Sequence, residues 1–152
     1  MYLAPARLGR GMSLVESLSY GGASYKTQFL SSTEVFPGVV CDAYLLVETQ
    51  ERDLGVIYIQ AGRRTKPQKV LDGIETIEGY VSGRGSLIIV KPSGEPLEFK
   101  VGPGSEGFSY PVDVVDIMQW RADAGDNLVV FEICFPPYQA GRFEDLDDSA
   151  LK

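Results

Sequence analysis

The chain contains no histidine among its 152 residues. That absence removes the usual general base, the usual partner of a catalytic serine and the commonest metal ligand together. Chemistry must then fall to carboxylates, tyrosines or thiols. Cys41 and Cys134 lie in the apolar runs VVCDAYLLV and VVFEICFPP, without the electropositive neighbours that would activate a thiolate. Two buried neutral thiols are expected, rather than a disulfide. Asp116, Met118 and Trp120 occupy alternate positions, as do Glu78 and Tyr80, and Val56, Tyr58 and Gln60. On strands each set shares one face. Arg63, Arg64, Lys66 and Lys69 form the one dense basic run, read first as a solvated loop or strand edge. Gly83-Arg84-Gly85 is a turn signal and lacks the third glycine and helix of a dinucleotide fingerprint.

The elements that would position these residues are strands. YKTQFL (25–30), VVCDAYLLVET (39–49), LGVIYIQ (54–60), ETIEGYV (75–81), SLIIVK (86–91), LEFKV (97–101), DVVDIMQW (113–120) and NLVVFEICF (127–135) are rich in β-branched and aromatic residues. AGRRTKPQ, SGRG, PSGE, GPGSEG and RADAGDN separate them, loaded with residues that favour chain reversal. Short strands at such spacing predict one all-β domain, a sandwich or barrel. Residues 1–24 read as an arm, irregular over 1–11, with room for an edge strand. Residues 139–152 read as an acidic tail, a short helix over 143–152 or a frayed end.

The formal net charge is -7, and an acidic body argues against nucleic acid, which needs a basic face. No run approaches the roughly 18 apolar residues of a membrane-spanning helix. The first residues, MYLAPARLGRGMSLVES, lack the apolar core of a secretory signal, so a cytoplasmic protein is expected.

From Gly62 to Tyr138, about half the chain, the order of features resembles the cupin superfamily. YVSGRGSLIIV (Tyr80–Val90) is similar to the turn and strand that end the first cupin motif. GEPLEFKVGPGSEGFSYPVDVVDIMQW (Gly94–Trp120) is similar to the second motif, and VVFEICFPPY (Val129–Tyr138) to the strand leaving the barrel. The resemblance implies a jelly-roll β-barrel over 25–138, usually dimeric. Most cupins hold a divalent metal with three histidines and a glutamate. Here the first ligand slots fall on Gln68, Val70 or Asp72, the carboxylate slot among Glu75, Thr76, Ile77 and Glu78, and the second-motif histidine slot on Asp116, with Trp120 where the family often has Asn. Carboxylates in those slots could serve Mg²⁺ or Ca²⁺ but would serve Zn²⁺ or Fe²⁺ poorly. Set against that, the acids sit at strand ends or face solvent, and the reading adopted is a metal-free barrel with no cofactor.

In the family's geometry Asp116 points inward with Met118 and Trp120. A carboxylate in such surroundings would have a raised pKa and could act as acid or base, unless Arg or backbone donors satisfy it. Three functions follow. The first is a metal-independent homodimeric module binding a small organic molecule, a sugar or metabolite, in the barrel through Gln68, Asp72, Tyr58, Met118, Trp120 and Arg64. The second is a non-metal enzyme (isomerase, epimerase, dehydratase or cyclase) with Asp116 as acid/base and Tyr80 or Glu78 as partner. The third is a structural dimer whose barrel is filled by its own tyrosines, Met118 and Trp120. The first two require a cavity of roughly 300 Å³ or more, and the second also requires an unpaired Asp116.

Overall fold

The computed structural model describes residues 2–7, 13–20 and 22–151, with side chains from Ser17 onward except Tyr20. Thirteen strands run in chain order: β1 (Tyr2–Arg7), β2 (Ser13–Tyr20), β3 (Ala23–Phe36), β4 (Val39–Leu46), β5 (Thr49–Ile59), β6 (Gln68–Val70), β7 (Glu75–Gly83), β8 (Gly85–Val90), β9 (Leu97–Val101), β10 (Ser109–Pro111), β11 (Ile117–Ala122), β12 (Leu128–Phe135) and β13 (Phe143–Asp145). A 3-10 turn, η1 (Asp148–Leu151), follows. They form an eight-stranded sheet in the order β1-β2-β3-β4-β5-β12-β7-β10 and a five-stranded sheet in the order β13-β6-β11-β8-β9. Every named pairing is antiparallel. The all-β domain expected from the turn pattern, and the jelly roll that the cupin resemblance implies, are the architecture found.

Strand alternation divides the larger sheet's side chains between two cores. Val39, Ile59, Tyr80, Leu128 and Val130 point at the smaller sheet, where they meet Val70, Leu87, Ile89, Met118 and Trp120. The opposite face carries Leu18, Tyr44, Leu54, Val56, Ile77, Phe131 and Ile133, a second cluster drawn only from strands of the larger sheet. That sheet is therefore apolar on both sides, and continuous runs such as LVVFEICF replace the clean alternation of a half-solvated strand.

The YVSGRG segment joins β7 to β8 across the two sheets. Gly83 has φ +91°, and a Cβ there would stand 1.9 Å from the Asn127 carbonyl oxygen, so only glycine fits. Within the expected arm, residues 2–7 and 13–20 form β1 and β2, and residues 1, 8–12 and 21 lie outside the described residues. β1 and β2 pair as a hairpin at the sheet edge, with an irregularity between Ala4 and Pro5, the kind of position an edge strand tolerates. Leu18 is buried in the second core.

The acidic tail also differs from expectation. Among its described residues there is no α-helix: β13 extends the smaller sheet along β6, and η1 buries Leu151. Arg142, only 5% exposed, anchors this strap. Its guanidinium donates to the carbonyls of Glu75 (2.7 Å), Pro136 (2.9 Å) and Phe135 (3.3 Å) and to Thr76 Oγ1 (3.0 Å). It lies against Gly73, whose missing Cβ leaves that room. Tyr138 stacks on Phe143 with centroids 5.9 Å apart.

Candidate functional site

The space between the sheets is where this architecture would keep a ligand, and here side chains close it. Trp120 (2% exposed), Met118 (3%), Tyr80 (4%) and Glu78 (1%) all reach it and pack together with the apolar core. The Trp120 indole donates to Glu78 Oε1 at 2.8 Å. Glu78 Oε2 is buried with no donor among the described residues. The group beside it is Glu132, directly opposite across the β7–β12 ladder. Glu132 Oε1 accepts a weak hydrogen bond from Cys134 Sγ at 3.4 Å. Burial, with the Glu132 charge close by, holds the Glu78 carboxyl well above the ordinary range, and burial raises Glu132 too. A proton retained by one carboxyl would supply the partner that Glu78 Oε2 lacks, and the two acids face each other as a buried pair. Tyr80 spends its hydroxyl on the Gly83 carbonyl at 2.8 Å. Both thiols are free: burial pushes Cys41 up to about 12 and Cys134 higher still, which makes them inert at neutral pH.

The remaining sequence-nominated residues do not converge on this interior. Tyr58 was expected to line the barrel but lies on the opposite face of β5, packed with the second core. Asp72 is exposed and accepts from the Gly73 amide at 2.7 Å. Gln68 turns toward the strap and donates to Asp145 Oδ1 at 2.9 Å. Asp116 is buried but not free. Its Oδ2 accepts from Lys91 Nζ at 2.8 Å and from the Asp113 amide at 3.1 Å, the latter closing the turn before β11. That hydrogen bond holds the Lys91 ammonium above the ordinary lysine range. The turn puts Val115 at φ 73°, an unusual conformation for a β-branched residue, and its amide is held by the Val70 carbonyl at 2.7 Å. Asp116 thus locks a strained turn, and the unpaired state required of an acid/base residue is not met.

A metal does not fit this donor set. Val70 offers no ligand atom, Gln68 faces the strap, Asp116 is held by Lys91 and Glu78 by Trp120. Among the described residues no three acids or cysteines gather in a geometry for one.

Two open clefts lie at the surface. One of about 180 Å³ runs along Val70, Gly73–Thr76 and Pro111–Val114. The other, about 350 Å³, lies between the end of β3, the segment before β6 and the strap. Phe36, Arg64, Thr65, Lys66, Pro67, Leu146 and three strap aspartates line it. Arg64 is ion-paired with Asp148, which raises its own pKa and lowers that of Asp148. Lys66 Nζ lies 5.6 Å from the Phe36 ring centroid. The sequence showed Arg64 but not Phe36 or the strap, because only the β6–β13 ladder carries the strap to Arg64.

The fold resembles solved structures. A cupin-2 domain protein from Rhodospirillum rubrum, Rru_A2000, superposes with TM-score 0.59 at 13% identity, over 88% of this chain and 82% of that one. The chain has the cupin fold. The cupin fold also relates it to the capsular polysaccharide assembling protein CapF of Staphylococcus aureus, with TM-score 0.63 at 12% identity over 81% of this chain. This chain spans only 35% of that one. Oxalate decarboxylase of Bacillus subtilis matches at TM-score 0.56 and 14% identity, over 70% of this chain and 28% of its own. No protein-family model matches the sequence, and no curated protein matches it either. Among the described residues no helix is long and apolar enough to cross a membrane, which says nothing of crossing by strands.

Proposed function

We propose that this cupin barrel is a metal-independent binding module that takes a small organic molecule on its flank, in the Phe36–Arg64–Lys66 cleft. The observation that carries the reading is the contrast between a barrel packed shut around Trp120 and Glu78 and a cleft of about 350 Å³ beside it. That volume suits a small ligand. An aromatic ring, an apolar wall and two cations converge there, the mixture such sites use. The protein acts as a cytoplasmic homodimer in this reading, without nucleic acid or membrane as partner. Its -7 charge supports the exclusion of nucleic acid. The test is a thermal-shift screen of small sugars, amines and organic acids against the wild type, Phe36→Ala and Lys66→Glu. Stabilisation by a compound in the wild type, lost in both variants, is expected. Stabilisation that survives both variants would overturn the assignment of the cleft.

The packed interior supports a second reading, a structural dimer in which the barrel is scaffold only. It predicts that no compound stabilises the protein through the cleft. An enzyme built on Asp116 has less support, since Lys91 and the Asp113 amide already engage its carboxylate.

A further inference from the structure

The flank cleft already holds a carboxylate, and it belongs to the protein itself. Arg64 presents two donors side by side to Asp148: Nε donates to Oδ1 at 3.3 Å, and Nη2 donates to Oδ2. Gln119, 1% exposed, adds its amide nitrogen to Oδ1 at 3.4 Å. That amide is fixed on both sides. Its nitrogen also donates to the Thr65 carbonyl at 2.8 Å, and its oxygen accepts from Arg121 Nε at 2.6 Å. A guanidinium fork beside a pre-oriented amide is a receptor shaped for a planar carboxylate.

One aspartate does not use the rest of the cleft. Phe36, Pro67 and Leu146 supply apolar wall, and Lys66 has no carboxylate partner among the described residues. The two other aspartates of the cleft accept hydrogen bonds elsewhere: Asp145 from Gln68 at 2.9 Å, and Asp147 from the Ser149 amide at 3.0 Å. The strap is also held unevenly. β13 is secured by its ladder to β6 and by the neighbouring Arg142, whereas η1 rests on Leu151 and the half-exposed Arg64–Asp148 pair.

We propose that Asp148 is an internal stand-in for the ligand, and that the ligand is a small organic carboxylate with an apolar body. Its carboxylate displaces Asp148 from Arg64 and Gln119, its body lies against Phe36, and Lys66 supplies a second cation. Binding thereby releases η1 while β13 stays in place, so the strap is a competitor that ligand moves aside. This rests on the cleft reading above and adds the ligand's chemical class.

The test is an NMR titration with benzoate, with benzamide as neutral isostere and inorganic phosphate as an alternative anion. It follows the Gln119 side-chain N–H signals in the wild type, Asp148→Ala and Arg64→Gln, and the Arg64 signals in the first two. Benzoate is expected to shift both signals saturably and to bind Asp148→Ala about three- to fivefold more tightly, the worth of releasing an exposed ion pair. Arg64→Gln is expected to abolish binding, and benzamide and phosphate to bind far more weakly. Equal affinity in wild type and Asp148→Ala would overturn the stand-in role while leaving the cleft as a site. Equal binding of phosphate, or no response to benzoate while another compound binds the cleft, would overturn the ligand class. If no compound of any class binds the cleft, the binding-module reading fails with it.

Discussion

The buried acid pair makes a directional claim about stability against pH. Glu78 and Glu132 face each other inside the barrel, and burial holds both carboxyls above the 4.5 of the unfolded chain. Above that pH the unfolded chain has released protons that the folded chain still holds. The native state then binds more protons than the unfolded one, so stability falls as pH rises. Each retained proton contributes a slope of about 1.4 kcal/mol per pH unit until the folded state itself titrates. Below pH 4.5 both states are protonated and the term vanishes. Burial raises Asp53 as well, which adds to the same trend. The depressed Glu98 and Asp148 act in the opposite sense but below their ordinary values, outside this window. Cys41 and Cys134 enter only above pH 9, where the unfolded thiols ionise. Glu78→Gln removes the charge, keeps an oxygen for the Trp120 indole and gives Glu132 an amide donor. It should flatten the profile by roughly one proton, about 1.4 kcal/mol per unit, and be more stable than wild type at pH 8. Urea unfolding from pH 5 to 8 reads this through Trp120, the one tryptophan and a direct partner of Glu78. A wild-type stability that is flat or rising over that range, or a Glu78→Gln profile parallel to it, would refute the retained-proton reasoning.

Other consequences are simpler. Lys91→Met leaves the Asp116 carboxylate buried with only the Asp113 amide, and should cost about 1–3 kcal/mol in chemical denaturation. Asp116→Asn, which keeps an acceptor for that amide, should cost less. Arg142→Met removes the guanidinium donors to the Glu75 and Pro136 carbonyls and to Thr76 Oγ1, while the Phe135 carbonyl keeps the Ile74 amide, and should cost about 3 kcal/mol, with the strap the first segment to lose hydrogen-exchange protection. Gly83→Ala combines a φ of +91° with a clash against the Asn127 carbonyl, and should lower stability by at least about 2 kcal/mol.

Much of the fold was legible because its central strands are long enough to carry a pattern. SLIIVK, LEFKV and NLVVFEICF are each found as strands within a residue or two of their expected ends. Strands β6, β10 and β13 have three residues each, too few for alternation to register. β11 begins four residues late because the Asp116 side chain caps a turn that its neighbours' β propensity conceals. Alternation correctly paired Glu78 with Tyr80 and Met118 with Trp120. It could not say which face of β5 looks inward, since both Val56/Tyr58 and Ile57/Ile59 are apolar, and Tyr58 was assigned to the wrong side. Glu132 was passed over as one acid in an apolar run. Its meaning needs the register that sets it opposite Glu78. Arg142 and Asp148 were invisible as site residues because tertiary contacts alone bring the strap to Gly73 and Arg64.

The central claim is that side chains which the cupin resemblance offers as candidate metal slots are here committed to internal bonds: Glu78 to Trp120, Asp116 to Lys91 and Gln68 to Asp145. Elemental analysis of protein purified without chelators or metal-affinity steps tests it most directly. The account predicts transition-metal content far below one atom per chain, with no gain after incubation with Mn²⁺, Fe²⁺ or Zn²⁺ and desalting. One tightly held metal per chain, lost in Glu78→Gln, would contradict it.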